Sequence, residues 1–310
     1  MSATRVRPER PTRHRRAAAP RRSVIGTLVF LLLGAVGLGL LVYPSAATWF
    51  SDRAHATEIA GFIDRLDTIP DAESEDMLSR AEAYNRAIPE ILLTDPYTAG
   101  IEAEPGTGAY GRYLEELRLP DSDVMARLRI PTIDVDLPVY HGTDDATLAK
   151  GVGHLFGTSL PVGGAGSHAV LTGHSGFVEA TLFDRLHELA EGDRILVDVA
   201  GAHHAYEVTG TRTVLPTEIE TLRIEPGEEL LTLVTCTPKG VNTHRLLVRA
   251  ERVDDPQETD AGPASIGAPA PGPGFPWWAV LFVAGALALV AILVLPSLPA
   301  LLKRRRPARS

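Results

Sequence analysis

Two long, almost wholly apolar stretches of this 310-residue chain contain no charged residue, and they limit the fold more than any other feature. The first, "SVIGTLVFLLLGAVGLGLLVYP", runs from Ser23 to Pro44; the second, "WWAVLFVAGALALVAILVL", runs from Trp277 to about Leu295. Each approaches the ~20 apolar residues that span a hydrocarbon core. The water-soluble fold must therefore be built from what lies between them. A cleaved signal peptide is the other reading of the first run, with "AHA" at Ala54–Ala56 as the cleavage site. The apolar stretch is longer than a usual signal core, which favours a retained anchor. Trp277 and Trp278 stand where an interfacial aromatic belt is expected.

Charge orients the two spans. Eight arginines precede the first run against Glu9 alone, and "KRRRPAR" follows the second. Positive charge stays on the cytoplasmic side. The expectation is a two-pass protein of the cell membrane, with both termini cytoplasmic and residues 45–276 outside. Nucleic-acid binding is the competing reading of the basic tails, and it is weak beside membrane runs. Without those ends the chain keeps 17 basic and 38 acidic residues, a net charge of −21. Such a domain repels nucleic acid and anionic surfaces.

Between the spans the texture changes once. Ala47 to Leu66 reads as an amphipathic helix with Ile59, Phe62, Ile63 and Leu66 on one face, and a second helix is expected from Ala72 to Ile88. A Gly-, Pro- and Thr-rich stretch, "LLTDPYTAGIEAEPGTGAYG", follows. From Val124 short apolar or alternating runs recur: "VMARLRI", "HAVLTG", "RILVDVA", "HAYEVTGTRTVL", "LLTLVTC" and "RLLVRAERV". "EATLFDRLHEL" reads as the one helix inserted among them. Strands at this spacing point to a closed barrel or sandwich rather than βαβ units. Residues 256–276, rich in Pro, Gly and Ala, read as a stalk to the second span.

An outward-facing domain meets an oxidising environment, where cysteines pair, yet Cys236 is the chain's sole cysteine. Such a residue is a buried bystander, half of an intermolecular bridge, or a thiol kept for chemistry. Its surroundings bear on the choice. If "LLTLVTC" and "HRLLVRA" form a hairpin with Cys236 opposite Thr243, then Arg245 lies opposite Val234. Cys236 and Arg245 then share a face as diagonal neighbours, and His244 points away. A slip of one residue exchanges Arg245 for His244; alternatively Arg245 is an exposed strand charge. A nucleophilic thiol also needs a proton-transfer partner. Among ten histidines, His174 in "LTGHSG" sits where an apolar strand breaks into a turn, a common place to display a functional group. Taken alone it is equally a structural histidine. No H-x₃-H or H-E-x-x-H spacing supports a metal site.

Together these residues resemble the sortases, cysteine transpeptidases of Gram-positive cell surfaces. "TLVTC" at Thr232–Cys236 resembles the family's TLxTC signature, "NTHR" ending at Arg245 its active-site arginine segment, and "LTGHSG" its histidine segment. "IPTIDVDLPVYHGT" and "GVGHLFGTSLPVGG" look like its first strands and following loop, and the likeness runs from about Met125 to Val253. "DPY" at Asp95, Pro96 and Tyr97 resembles the lid of class C members, the pilin polymerases, which also carry a second membrane run. Two positions depart from the class pattern: Lys239 stands where an aromatic is common, and Phe156 where an acid is common. They put substrate preference in doubt.

The resemblance implies a mainly β fold, a closed eight-stranded barrel behind N-terminal helices and a lid. The expected organisation is a basic tail (1–22), a span (23–44), helices and lid (45–123), the catalytic barrel (124–255), a stalk (256–276), a second span (277–296) and a basic tail (297–310). It implies catalysis by Cys236, His174 and Arg245 without a cofactor or metal. The expected partners are pilin or surface proteins bearing Leu-Pro-x-Thr-Gly signals, a pilin lysine as amine acceptor, and the membrane. A housekeeping sortase that attaches proteins to peptidoglycan is the alternative; a non-catalytic pilus-assembly scaffold and a plain cysteine protease stand further off.

Overall fold

The structure is a computed structural model that describes residues 24–88, 97, 108–218, 220–253 and 270–294. It divides into two units, residues 1–42 with 277–310, and residues 43–276.

The smaller unit contains the apolar helices. Helix α1 (Val24–Leu66) begins there, and α5 (Trp277–Val294) follows at the other end of the chain. The two pack through glycine: a Cβ on Gly34 would collide with Leu289, and one on Gly285 with Leu38. Small residues that let helices approach are a common feature of packing in lipid. Among the described residues one helix, α1, is both long and apolar enough to cross a membrane; α5 has 18 residues. The sequence reading ended one helix at Pro44 and began another at Ala47, whereas α1 continues through Pro44. Proline removes one N–H from the helical ladder but does not interrupt it here. Ala54–Ala56 lie inside α1, with His55 buried.

The larger unit is a closed barrel of eight strands. They are β1 (Val124–Ile130), β2 (Val135–His141), β3 (Val152–His154), β4 (Ser167–Thr172), β5 (Arg194–Val199), β6 (Ala202–Val214), β7 (Glu229–Thr237) and β8 (His244–Arg252). Around the barrel the order is β1-β2-β3-β4-β7-β8-β6-β5, with β5 returning to β1. Closure leaves no open edge. All neighbours are antiparallel except β2–β3 and β4–β7. Ile59 and Phe62 of α1 are buried, as are Met77 and Ala81 of α2 (Asp71–Arg86), on the faces the periodicity predicts. Tyr113 of α3 (Gly108–Glu115) is fully buried; its hydroxyl contacts His154 Nδ1 at 3.0 Å and accepts from the Gly142 amide at 2.9 Å.

Alternation along the strands sorts side chains to two sides. Leu128 and Ile130 of β1, Ala169 and Leu171 of β4, Leu231 and Leu233 of β7, and Val248 and Ala250 of β8 join the main core. Arg127 and Arg129 alternate with the β1 core residues and are neutralised by bidentate pairs to Asp136 (both 2.7 Å) and Asp198 (both 2.9 Å). His203 Nδ1 lies 2.8 Å from the same Asp198 carboxylate.

Two local expectations are corrected. "EATLFDRLHEL" is not an α-helix; it is a series of turns with one 3₁₀ turn at Leu186–Glu188. The Phe183 N–H donates to the His174 carbonyl across the fold at 2.9 Å, and Leu186 N–H bonds three residues back. Burial of Leu182, Phe183, Leu186 and Leu189 overrides the helical pattern. A short helix, α4 (Asp145–Lys150), occurs instead just before β3, capped by Asp144, whose side chain accepts from the Thr147 N–H at 3.0 Å.

Burial opposes ionisation of Asp198, but hydrogen bonds from His203 and Arg129 overcome it and hold the carboxyl below the ordinary aspartate range. Its stabilisation is therefore present above the unfolded-state value and is lost as pH falls through the lower folded-state value. Asp198→Ala removes the bidentate carboxylate from the largely buried Arg129 and is expected to cost about 3–5 kcal/mol in a urea titration of the detergent-solubilised chain at neutral pH. The difference from the parent should shrink as the pH falls below about 4. A loss under about 1 kcal/mol at neutral pH contradicts this role.

Candidate active site

Strands β4, β7 and β8 bring the three sequence-derived residues together. β4 and β7 run parallel, with Thr172 paired to Val234 at the end of the ladder. Continuing each chain by two residues gives His174 and Cys236. In the β7–β8 ladder, Cys236 lies directly opposite Arg245. The sequence reading placed Cys236 opposite Thr243, so the true register differs by two residues. A two-residue shift preserves side-chain parity; the thiol and guanidinium still share a face and become direct rather than diagonal neighbours. His244 pairs with Thr237 and points the other way.

The shared face is the outer one. Leu231 and Leu233 fill the barrel, while Val234 joins a second apolar cluster with Leu155, Val170, Val214, Leu222 and Leu247. By alternation Cys236 and Arg245 stand at the end of this cluster. Both are largely buried, at 7% and 6% exposure.

Hydrogen bonds lock the two strand ends to each other. The Gly173 N–H donates to the Val234 carbonyl (3.1 Å), the Thr235 hydroxyl to the Gly173 carbonyl (2.7 Å), and the Ser175 hydroxyl to the Cys236 carbonyl (2.5 Å). Glycine is required at 173 because a Cβ would lie 2.8 Å from the buried Phe183 ring. Arg245 Nη1 donates to the carbonyls of Asn242 (3.1 Å) and His244 (3.2 Å). Asn242 adopts a left-handed φ of 59°, which asparagine tolerates better than most residues.

Tyr97 covers this arrangement. Its ring packs against the second apolar cluster, with the Arg245 guanidinium carbon 4.9 Å from its centroid and the His174 ring 5.7 Å away. Its hydroxyl donates to the Gly173 carbonyl at 2.6 Å and approaches that of Val234 at 3.3 Å. Asp95 and Pro96 lie outside the described residues. His174 is half-buried, and Phe177 stacks on its ring at 5.3 Å. Burial lowers the His174 pKa from its usual value, partly offset by the Asp145 charge.

The sequence reading missed several supporting residues. Phe177, Thr235 and Ser175 are close in sequence to His174 or Cys236, yet their contacts depend on the β4–β7 pairing. Asp184 carried no signal of its own: its carboxylate accepts from the Gly176 N–H at 2.6 Å and pairs with Lys239 at 3.2 Å. That bridge ties the segment after His174 to the turn after Cys236, which gives Lys239 a structural reason for its place. Phe156 is buried against Tyr110 and Tyr113, with centroids 5.0 and 5.1 Å away. Among the described residues no cluster of His, Cys, Asp and Glu is arranged to hold a metal ion.

The family model described as "Sortase domain" matches residues 128–253. Sortase D of Bacillus subtilis (strain 168) is 33% identical over 129 residues, 41% of this chain and 62% of that protein. The matched region thus spans less than two thirds of that curated relative. Among solved structures, sortase C-1 from Actinomyces oris is 48% identical with a TM-score of 0.56, covering 59% of this chain and 99% of that one. Sortase C of Streptococcus pneumoniae, whose structure is described as informing catalysis and pilin substrate specificity, is 35% identical with a TM-score of 0.57, covering 64% and 97%.

Two outcomes test the cover. Tyr97→Ala should speed alkylation of Cys236 by a small thiol reagent, measured by intact mass over time; unchanged kinetics contradict it. The same substitution exposes His174 to water and should raise its NMR-monitored pKa toward 6.5. A fall, or no change, contradicts burial by Tyr97 as a cause.

Proposed function

The chain belongs to the sortase family, and from that premise we propose that it is a membrane-anchored class C sortase that joins pilin subunits. The observation that carries the reading is the seat of Tyr97, on the apolar cluster between Arg245 and His174. In this reading the tyrosine of the Asp-Pro-Tyr segment, beside Arg245 and His174, stands where the substrate would lie. The class C relatives among the solved structures support the same reading.

In the proposed reaction the Cys236 thiolate attacks the threonine carbonyl of a Leu-Pro-x-Thr-Gly signal. A carbon–sulfur bond forms, the Thr–Gly carbon–nitrogen bond breaks, and His174 gives a proton to the departing glycine amine. A pilin lysine amine then attacks the thioester; His174 takes its proton, and Cys236 leaves as an isopeptide bond forms. Arg245, held by the carbonyls of Asn242 and His244, directs charge toward the oxyanion and the peptide. The apolar cluster suits the Leu-Pro end of the signal once Tyr97 has moved.

The topology is part of the proposal. α1 supplies one anchor and α5 a second, an arrangement supported by their charge-free sequences, the glycine contacts between them and the basic residues at both ends of the chain. The barrel and its partners are then outside the cell. The expected boundaries remain the catalytic barrel over 124–255 and a stalk over 256–276; residues 256–269 lie outside the described residues.

With purified pilin, the chain should yield a ladder of covalent oligomers whose junction peptides contain a threonine–lysine isopeptide bond by tandem mass spectrometry. Attachment only to peptidoglycan cross-bridge amines contradicts the polymerase reading and favours the housekeeping one. Arg245→Ala should slow peptide cleavage by about 10²–10³-fold; a loss under about 3-fold contradicts the oxyanion role.

A further inference from the structure

Thr172 is fully buried, and among the described residues its hydroxyl oxygen has no hydrogen-bond partner. Its direction follows from β4. Ala169 and Leu171 enter the main core, while Val170 joins the outer cluster with Val234 and Leu247. Thr172, two residues beyond Val170, faces that same outer side. It is paired with Val234, whose carbonyl lies beneath the Tyr97 hydroxyl. The apolar cluster on that side consists of Leu155, Val170, Val214, Leu222, Val234 and Leu247.

A buried hydroxyl without a partner is destabilising, and valine would supply the same shape without that cost. The hydroxyl gains nothing from the covered state, so its use lies in the uncovered one. We propose that Thr172 Oγ1 is a substrate-binding contact of the groove. Once Tyr97 leaves, it accepts a hydrogen bond from the backbone of the sorting signal, between the proline and the threonine. This inference rests on the proposed function and identifies how that site reads its peptide.

Spacing selects the segment. Thr172 and Val234 stand one two-residue step, about 7 Å, behind the row of His174 and Cys236. An acyl chain that starts at Cys236 and lays its Leu-Pro end on the apolar cluster passes over Thr172 with its variable residue. Proline has no N–H, so the amide of the variable residue is the first backbone donor after it. A contact with the backbone leaves that residue's side chain free to vary, as the signal requires.

The test is single-turnover acylation of Cys236 in the full chain by a synthetic Leu-Pro-x-Thr-Gly peptide, with thermal unfolding measured alongside. Thr172→Val should keep or raise Tm while lowering acylation at sub-saturating peptide by about 10-fold, with the loss in the half-saturating concentration. Thr172→Ser restores a hydroxyl and should stay within about 3-fold of the parent in acylation. The inference is overturned if valine acylates like the parent, if valine lowers Tm and rate together, or if serine behaves like valine. Absence of any thioester on the parent protein overturns the proposed function itself, and this inference with it.

Discussion

Everything in the site depends on strand β7 being held by two different ladders at once. Its parallel pairing with β4 ends at Thr172–Val234, so both chains leave the ladder in step and present His174 and Cys236 at the same end. Its antiparallel pairing with β8 sets Arg245 directly across from Cys236. The Ser175, Thr235 and Gly173 hydrogen bonds fix the strand ends after the ladder stops. A one-residue change in either register would turn a member of the trio to the wrong side of the barrel wall.

That wall separates two apolar populations. One fills the barrel and stabilises the fold; the other lies outside it and leads up to the thiol. An apolar surface beside a reactive group is costly to leave wet, and Tyr97 covers it while bonding the same strand-end carbonyls that organise the site. Its ring also meets the Arg245 cation. Tyr97 and the site are therefore coupled through shared atoms.

Much of the architecture was legible because strand alternation is robust. The runs from "VMARLRI" to "RLLVRAERV" became strands; their spacing left barrel and sandwich open, and the closed eight-stranded barrel was the expectation of the family resemblance. Cys236 and Arg245 were placed on one face from an incorrect register, since an error of two residues does not alter parity. Local pattern failed where tertiary contacts took the backbone bonds: "EATLFDRLHEL" gave its Phe183 N–H to His174 and lost its helix. The Asp184 bridge joins elements more than fifty residues apart, and no spacing rule connects such positions. Thr172 stood within a quoted motif, yet its lack of a partner is visible only once its neighbours are known.

The central claim is that the sulfur of Cys236 becomes bonded to the acyl half of a sorting signal. Intact-protein and peptide mass spectrometry after incubation with a signal peptide, without an amine acceptor, reads this directly. The account predicts a mass gain equal to the fragment ending in threonine, carried by the peptide containing Cys236, with the glycine fragment released and the adduct removed by hydroxylamine. An unmodified Cys236 after the glycine fragment has been released, or an adduct on any other residue, would contradict it.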